Sequence, residues 1–308
     1  MTATDANGTP APRADARAEA PAVKRVIHPR AKDLGGLTVR RALPARDLTA
    51  VGPFIFFDEM GPVAFPAGQG IDVRPHPHIG LSTLTWLIEG EILHRDSLGS
   101  VERICPGAVN WMTAGAGVVH SERTPADVRA APSALHGIQM WLALPRPHEE
   151  IPASFQHVPA PDLPVWSRDG CRVMLIAGSG WGERSPVRVY SPTLCADATL
   201  EAGATLTIEA EHEERALYPV SGAITVGGTR FGIGQMVVLQ PGAHVAVEAD
   251  HGARVIAIGG AALDGPRHLW WNFVSSRVDR IEQAKADWAA GRFAKVAGDD
   301  TFIPLPEA

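Results

Sequence analysis

The sequence predicts an all-β protein built as two β-sandwich barrels in tandem and finished by a short C-terminal helix. Three observations predict it. Short runs of β-branched and aromatic residues alternate with Gly and Pro punctuation at 51–57, 81–88, 108–112 and 137–144, then at 173–177, 205–209, 216–220, 235–239, 245–247 and 255–258. Glycine and proline number 31 and 26 of 308 residues, which suits many turns and short strands rather than long helices. The second half also reads as a copy of the first. The run from Trp86 through Gly90 to Ile92 resembles that from Tyr218 through Gly222 to Ile224, and the run Pro106 to Met112 resembles Ile233 to Leu239. A duplicated β-barrel accounts for both matches.

Taken in order, residues 1–24 are rich in Ala, Pro, Asp, Arg and Thr and carry no apolar stretch, so they read as a disordered tail rather than a secretory signal. Residues 25–150 form the first barrel, and 151–165, which follow the Pro-rich run that opens at Pro145, form a linker. Residues 166–308 form the second barrel and the helix. The helix is expected over 278–293, where Ile281, Ala284 and Trp288 fall at i, i+3 and i+7 as an apolar stripe. Ser275 or Ser276 is expected to cap its start, and Gly291 sits near its end.

A net charge of −6 offers no basic face for nucleic acid. Cys105, Cys171 and Cys195 are scattered without a paired spacing, as suits free thiols in a reducing cytoplasm. No run approaches the ~18 apolar residues of a membrane span. The expectation is a cytoplasmic protein without a direct nucleic-acid or membrane partner.

The chemistry is concentrated in two short motifs. His76 and His78 stand at i and i+2 between prolines, and His120 and Glu122 repeat the spacing after a Gly-rich stretch. On a β-strand, side chains at i and i+2 share a face. Pro75 and Pro77 bias their neighbours towards extended backbone, so both rings are held on that face. Two such strands facing each other inside a barrel would aim three imidazoles and one carboxylate at a single point. A lone histidine is more often a satisfied polar residue than a ligand, but four donors in this pattern point to one divalent metal ion. Three nitrogens and one oxygen suit Fe, Mn, Co, Ni, Cu or Zn, and the lack of a thiolate argues for a catalytic rather than a closed structural site. Aligning the two halves carries His76 onto Ile208, His78 onto Ala210, His120 onto Val247 and Glu122 onto Ala249, all apolar, so one metal is expected per chain.

The run His76 to Trp86, the segment His94 to Gly99, Pro106-Gly107, Trp111 to Gly115, Gly117 to Glu122 and the upstream Gly52 to Pro62 closely resemble the pirin family of the cupin superfamily. The likeness is dense over 25–145 and weaker through to Ser275. It implies a bicupin whose metal, usually iron, is held in the first barrel by His76, His78, His120 and Glu122. The usual cupin pattern places a Glu shortly after the second His; Ser82 stands there, leaving Glu122 as the carboxylate. Some family members resemble quercetin dioxygenases, which implies Fe(II)-dependent cleavage of a flavonol-like or other enolic aromatic with dioxygen as co-substrate and Glu122 as the catalytic base. Others act as iron-dependent transcriptional co-regulators or bind partner enzymes, which leaves a non-catalytic, redox-responsive binding protein as the alternative.

Several residues keep two readings. His94 and Asp96 could ligate, or could support the ligands from behind or form a turn. Asp58 and Glu59 fit a turn or the rim of a pocket, and Glu214 is a remote candidate in the second copy. Trp86, Trp111 and Met112 are expected in the core, while Phe54, Phe56 and Phe57 could pack or line a pocket.

Overall fold

The structure, a computed structural model, describes residues 22–33 and 37–307. The expected tail lies outside the described residues as far as position 21, whereas Val23 and Lys24 already belong to a strand. Where one face meets solvent, burial alternates strictly, as along Ala204–Ile208 and Val245–Ala249; where both faces are covered, as along Val109–Thr113, every residue is buried.

Each barrel pairs a large antiparallel sheet with a four-stranded one. In the first barrel the large sheet runs Ser154–Val158, Val109–Thr113, Leu81–Glu89, Ser133–Ala143, Phe54–Phe65, Thr38–Leu43, Arg30–Asp33. Its small sheet runs Asp72–His78, Val118–Arg123, Ile92–Asp96, Val101–Ile104. The second barrel repeats both orders. Its large sheet runs Val23–Ile27, Met236–Leu239, Glu214–Gly222, Ala253–Gly260, Thr193–Leu200, Cys171–Gly180, Val165–Arg168, and its small sheet runs Ala204–Ile208, Val245–Ala249, Ile224–Val226, Thr229–Phe231. The duplication expected from the sequence is thus matched along both strand orders, with the short strand Glu183–Arg184 added beside Cys171–Gly180 in the second barrel.

The edges are exchanged. Val23–Ile27, which precedes the first barrel, pairs with Met236–Leu239 of the second, and Ser154–Val158, inside the expected linker, pairs with Val109–Thr113 of the first. Register also refines the internal alignment. His76 lies opposite His120, and Leu206 lies opposite Val247, so Leu206 and Ile208 stand where His76 and His78 do. The sequence alignment placed these equivalents two residues later because the following turn is longer in the second barrel. The replacements are apolar either way, and Leu206, Ile208, Val245 and Val247 belong to one buried cluster.

Phe54, Phe57, Trp86 and Trp111 of the first barrel share a single buried cluster with Ile176, Cys195, Tyr218 and Ile256 of the second. Polar pins cross the same interface. Trp86 Nε1 donates to Asp197 at 2.8 Å, and the Tyr218 hydroxyl donates to Glu59 at 2.5 Å. The helix Val278–Ala289 begins where expected and stops sooner, and it packs on the first barrel: Ile281 and Ala284 are buried with Ile79 and Phe273. Neither serine caps it. Ser276 N–H and both hydroxyls are engaged by the Glu149 carboxylate instead, so Arg277 occupies the N-cap position without a side-chain cap bond. Among the described residues no helix is long and apolar enough to cross a membrane.

Candidate metal centre

Asp72–His78 is the edge strand of the small sheet, a position that tolerates prolines because one row of N–H groups has no ladder partner. Val118–Arg123 is its hydrogen-bonded neighbour, so the two motif strands lie side by side rather than facing each other across the barrel. His120 sits directly opposite His76, which puts their side chains on one face, and His78 joins them two residues along. A register shift between His120 and Glu122 moves the pairing from His76 to Val73 and breaks the ladder beside Pro75.

His76, His78 and His120 are buried, and each offers a ring nitrogen within 4.8 Å of the other two. His78 Nε2 and His120 Nε2 are 3.0 Å apart. Two nitrogens on bonds of about 2.1 Å at right angles around one ion are separated by about this distance. His76 Nδ1 donates to the Arg74 carbonyl at 2.9 Å, which leaves Nε2 as a free lone pair. Burial holds the His76 imidazole down at about 4, against the partial pull of the Arg74 carbonyl. Burial and the neighbouring rings hold His78 and His120 well below the usual histidine range. All three rings are therefore neutral at physiological pH, the protonation state a metal needs. The donor set fits a borderline divalent cation.

Glu122 is not one of the three clustered groups. It follows His120 by two residues, borders the same cavity, and its Oε1 accepts from Thr85 at 2.9 Å. Burial raises its pKa, with His94 and Thr85 pulling the other way.

The cavity above the imidazoles measures about 1100 Å³. Phe56 and Trp141 stack at 4.0 Å with ring planes 13° apart, and Trp141 meets the His78 ring edge-on at 5.2 Å. The Arg41 guanidinium lies 4.4 Å from the Phe56 centroid and forks onto Asp58 at 2.7 and 2.8 Å. Trp271, Asn272 and Ile303 bring the C-terminal segment to the same cavity.

Of the other sequence candidates, Asp58 and Phe56 border the cavity. Glu59 is buried at the barrel interface, where Arg40, His136 and Tyr218 all donate to it; their bonds outweigh its burial and lower its pKa. Trp86, Trp111, Phe54 and Phe57 belong to the inter-barrel core, and Met112 is buried in a neighbouring cluster. His94 and Asp96 lie behind His120, and Glu214 accepts from Gly52 N–H far from the imidazoles. Sequence reasoning missed Trp141, Gln139, Thr85 and Trp271. Gln139 and Trp141 share one strand parity, a signal visible in the sequence, but parity alone does not say which face turns inward.

The chain matches the Pirin family model over residues 36–142 and that of the Pirin C-terminal cupin domain over residues 195–294. A pirin-like protein of Caulobacter vibrioides is 49% identical over 286 residues, 92% of this chain and 99% of the relative. A pirin-like protein of Solanum lycopersicum is 31% identical, covering 88% and 91%. Among solved structures, a quercetin 2,3-dioxygenase from Acinetobacter baumannii superposes with a TM-score of 0.86 at 36% identity, covering 92% of this chain and 95% of that one.

Proposed function

This chain belongs to the pirin family, and from that premise we propose that it is a metal-dependent cupin dioxygenase acting on a flavonol-like or related enolic aromatic, with Fe(II) held by His76, His78 and His120 and with Glu122 as the fourth donor. The observation that carries the reading is the convergence of three neutral imidazoles at the foot of a large aromatic-walled cavity. The likeness to a quercetin 2,3-dioxygenase supports the substrate class.

Bound Fe(II) would supply Lewis acidity towards an enolic oxygen and one-electron chemistry towards dioxygen. The chain's own groups supply the rest. Trp141, stacked on Phe56, offers a flat apolar surface to a planar ring, and Arg41, held by its fork to Asp58, packs over Phe56 at the same cavity. Glu122, raised towards neutrality by burial, is suited to take the enolic proton of a substrate seated at the imidazoles. Thr85 anchors its Oε1 and so holds the carboxylate in place. The C-terminal segment adds Trp271, Asn272 and Ile303 to the cavity lining.

The test is anaerobic loading with Fe(II) followed by dioxygen uptake on adding quercetin. Uptake in step with loss of the flavonol, absent from the His76→Ala/His78→Ala double variant, is expected. Stoichiometric metal binding without uptake would exclude flavonol cleavage and leave the binding-protein alternative.

A further inference from the structure

His94 is a fourth buried histidine that lies outside the clustered trio and does not border the cavity. It stands on Ile92–Asp96, the strand next to Val118–Arg123, and faces Glu122 in register while Asp96 faces His120. Its ring stacks on Phe155 at 4.6 Å and 20°, so the large sheet fixes the ring plane from behind. Its two nitrogens are both engaged. Nε2 lies 3.2 Å from Asp96 Oδ2, and Nδ1 lies 3.3 Å from His120 Nδ1. Asp96 is itself locked, because Oδ1 accepts from the backbone N–H groups of Leu98 and Ser100, each at 2.9 Å.

With His94 carrying a single ring hydrogen, counting hydrogens along this line leaves one arrangement. The Asp96 carboxylate already receives two N–H donors on one oxygen and acts only as an acceptor, so His94 must carry its hydrogen on Nε2. A neutral imidazole has one such hydrogen, which makes His94 Nδ1 a lone pair. The facing nitrogen, His120 Nδ1, must then supply the hydrogen between the two rings. His120 is left with a bare Nε2, the nitrogen 3.0 Å from His78 Nε2. We propose that Asp96 and His94 form a two-step relay that holds His120 in its Nδ1–H tautomer and so presents Nε2 to the metal, making His94 and Asp96 positioning residues of the centre. His76 reaches the same tautomer by a shorter route, through the Arg74 carbonyl. The relay differs in ending on a buried carboxylate, which adds negative charge behind one ligand and strengthens it as a donor.

The inference rests on the metal reading above, and two measurements separate their failures. The first uses metal-free wild-type protein labelled with 15N-histidine and reads the His120 tautomer from long-range 1H–15N correlations. Nδ1–H is expected, and Nε2–H overturns the relay whether or not the protein takes up metal. The second is Co(II) competition against a chelator, with the Co(II) absorption spectrum recorded. Asp96→Asn keeps the shape but can offer an amide hydrogen to His94 Nε2. That would turn His94 Nδ1 into a donor and push the His120 hydrogen onto Nε2. His94→Phe keeps the stack on Phe155 and deletes the relay. Each variant is expected to bind Co(II) about 10–100-fold more weakly, with an altered ligand-field spectrum and unchanged far-ultraviolet dichroism, and Asp96→Glu is expected to recover part of the loss. Wild-type affinity and spectrum in both Asp96→Asn and His94→Phe overturn the proposal. A wild-type chain that shows the Nδ1–H tautomer but takes up no Co(II) sinks the metal reading and leaves the relay standing.

Discussion

At the scale of single residues, the protein keeps three imidazoles neutral where burial penalises a charge. This has a pH consequence for the metal-free chain. His76 titrates at 6.5 when exposed and at about 4 in the fold. The unfolded state therefore binds the extra proton first as pH falls. Stability is complete above about 6.5, declines through the interval and levels off below about 4, a loss on the order of 3 kcal/mol from this ring. Urea midpoints of the apo-protein at pH 7, 5.5 and 4 should fall in that order, and a flat series would exclude neutral burial of His76. Loss of a ligand is expected to be more severe: His78→Ala should abolish stoichiometric Fe(II) or Co(II) binding at micromolar protein, measured by metal analysis after gel filtration, while the fold persists. The three histidines were legible because strand parity and the flanking prolines are local properties. The separation of Glu122 from the clustered trio was not, since the distance between side chains on one face depends on how neighbouring strands twist and pair, which neither motif records.

At the scale of elements, strands announced themselves wherever apolar residues ran between glycines, and the strand 81–88 expected from the sequence is Leu81–Glu89 in the structure. Edge strands were harder to read. Val23–Ile27 and Ser154–Val158 are short and half exposed, and only their partners make them strands. Ile27 is nonetheless buried in the inter-barrel cluster. Ile27→Ala should cost about 2–4 kcal/mol by chemical denaturation, a result that an unpaired edge segment would not give. The turn that follows His78 is equally constrained. Gly80 has φ +68°, and a Cβ there would lie 1.9 Å from the Val274 carbonyl oxygen. Gly80→Ala should therefore loosen the C-terminal segment, read as faster proteolysis near residues 268–305 and a stability loss of at least about 1–3 kcal/mol.

At the scale of the whole molecule, the two barrels share a core and bury Glu59 between them with Arg40, His136 and Tyr218. They should unfold together: one calorimetric transition, with tryptophan fluorescence and far-ultraviolet dichroism coincident. Tyr218→Phe removes a donor from a buried carboxylate and should lower stability by about 1.5–3 kcal/mol without splitting that transition. Two resolved steps would show the barrels to be independent. The tandem plan was visible in the sequence because paired Gly-centred runs recur, yet the intimacy of the interface was not. Trp86 and Trp111 read as generic core residues, and nothing in their neighbourhoods revealed that the core they join contains the other half of the chain.

The exchanged edges also constrain how this chain can be made. The ribosome releases Val23–Ile27 some two hundred residues before Met236–Leu239, the template it pairs with, exists. The leading half can complete its own ladder once Ser154–Val158 has emerged, because that edge comes from downstream. The trailing half takes its edge from a segment made some two hundred residues earlier, so that ladder closes only through a long-range pairing. A permuted gene that moved this opening segment to follow the final helix would lose the order of emergence, and nascent-chain crosslinking would record the difference as a change in when the trailing half becomes protease-resistant.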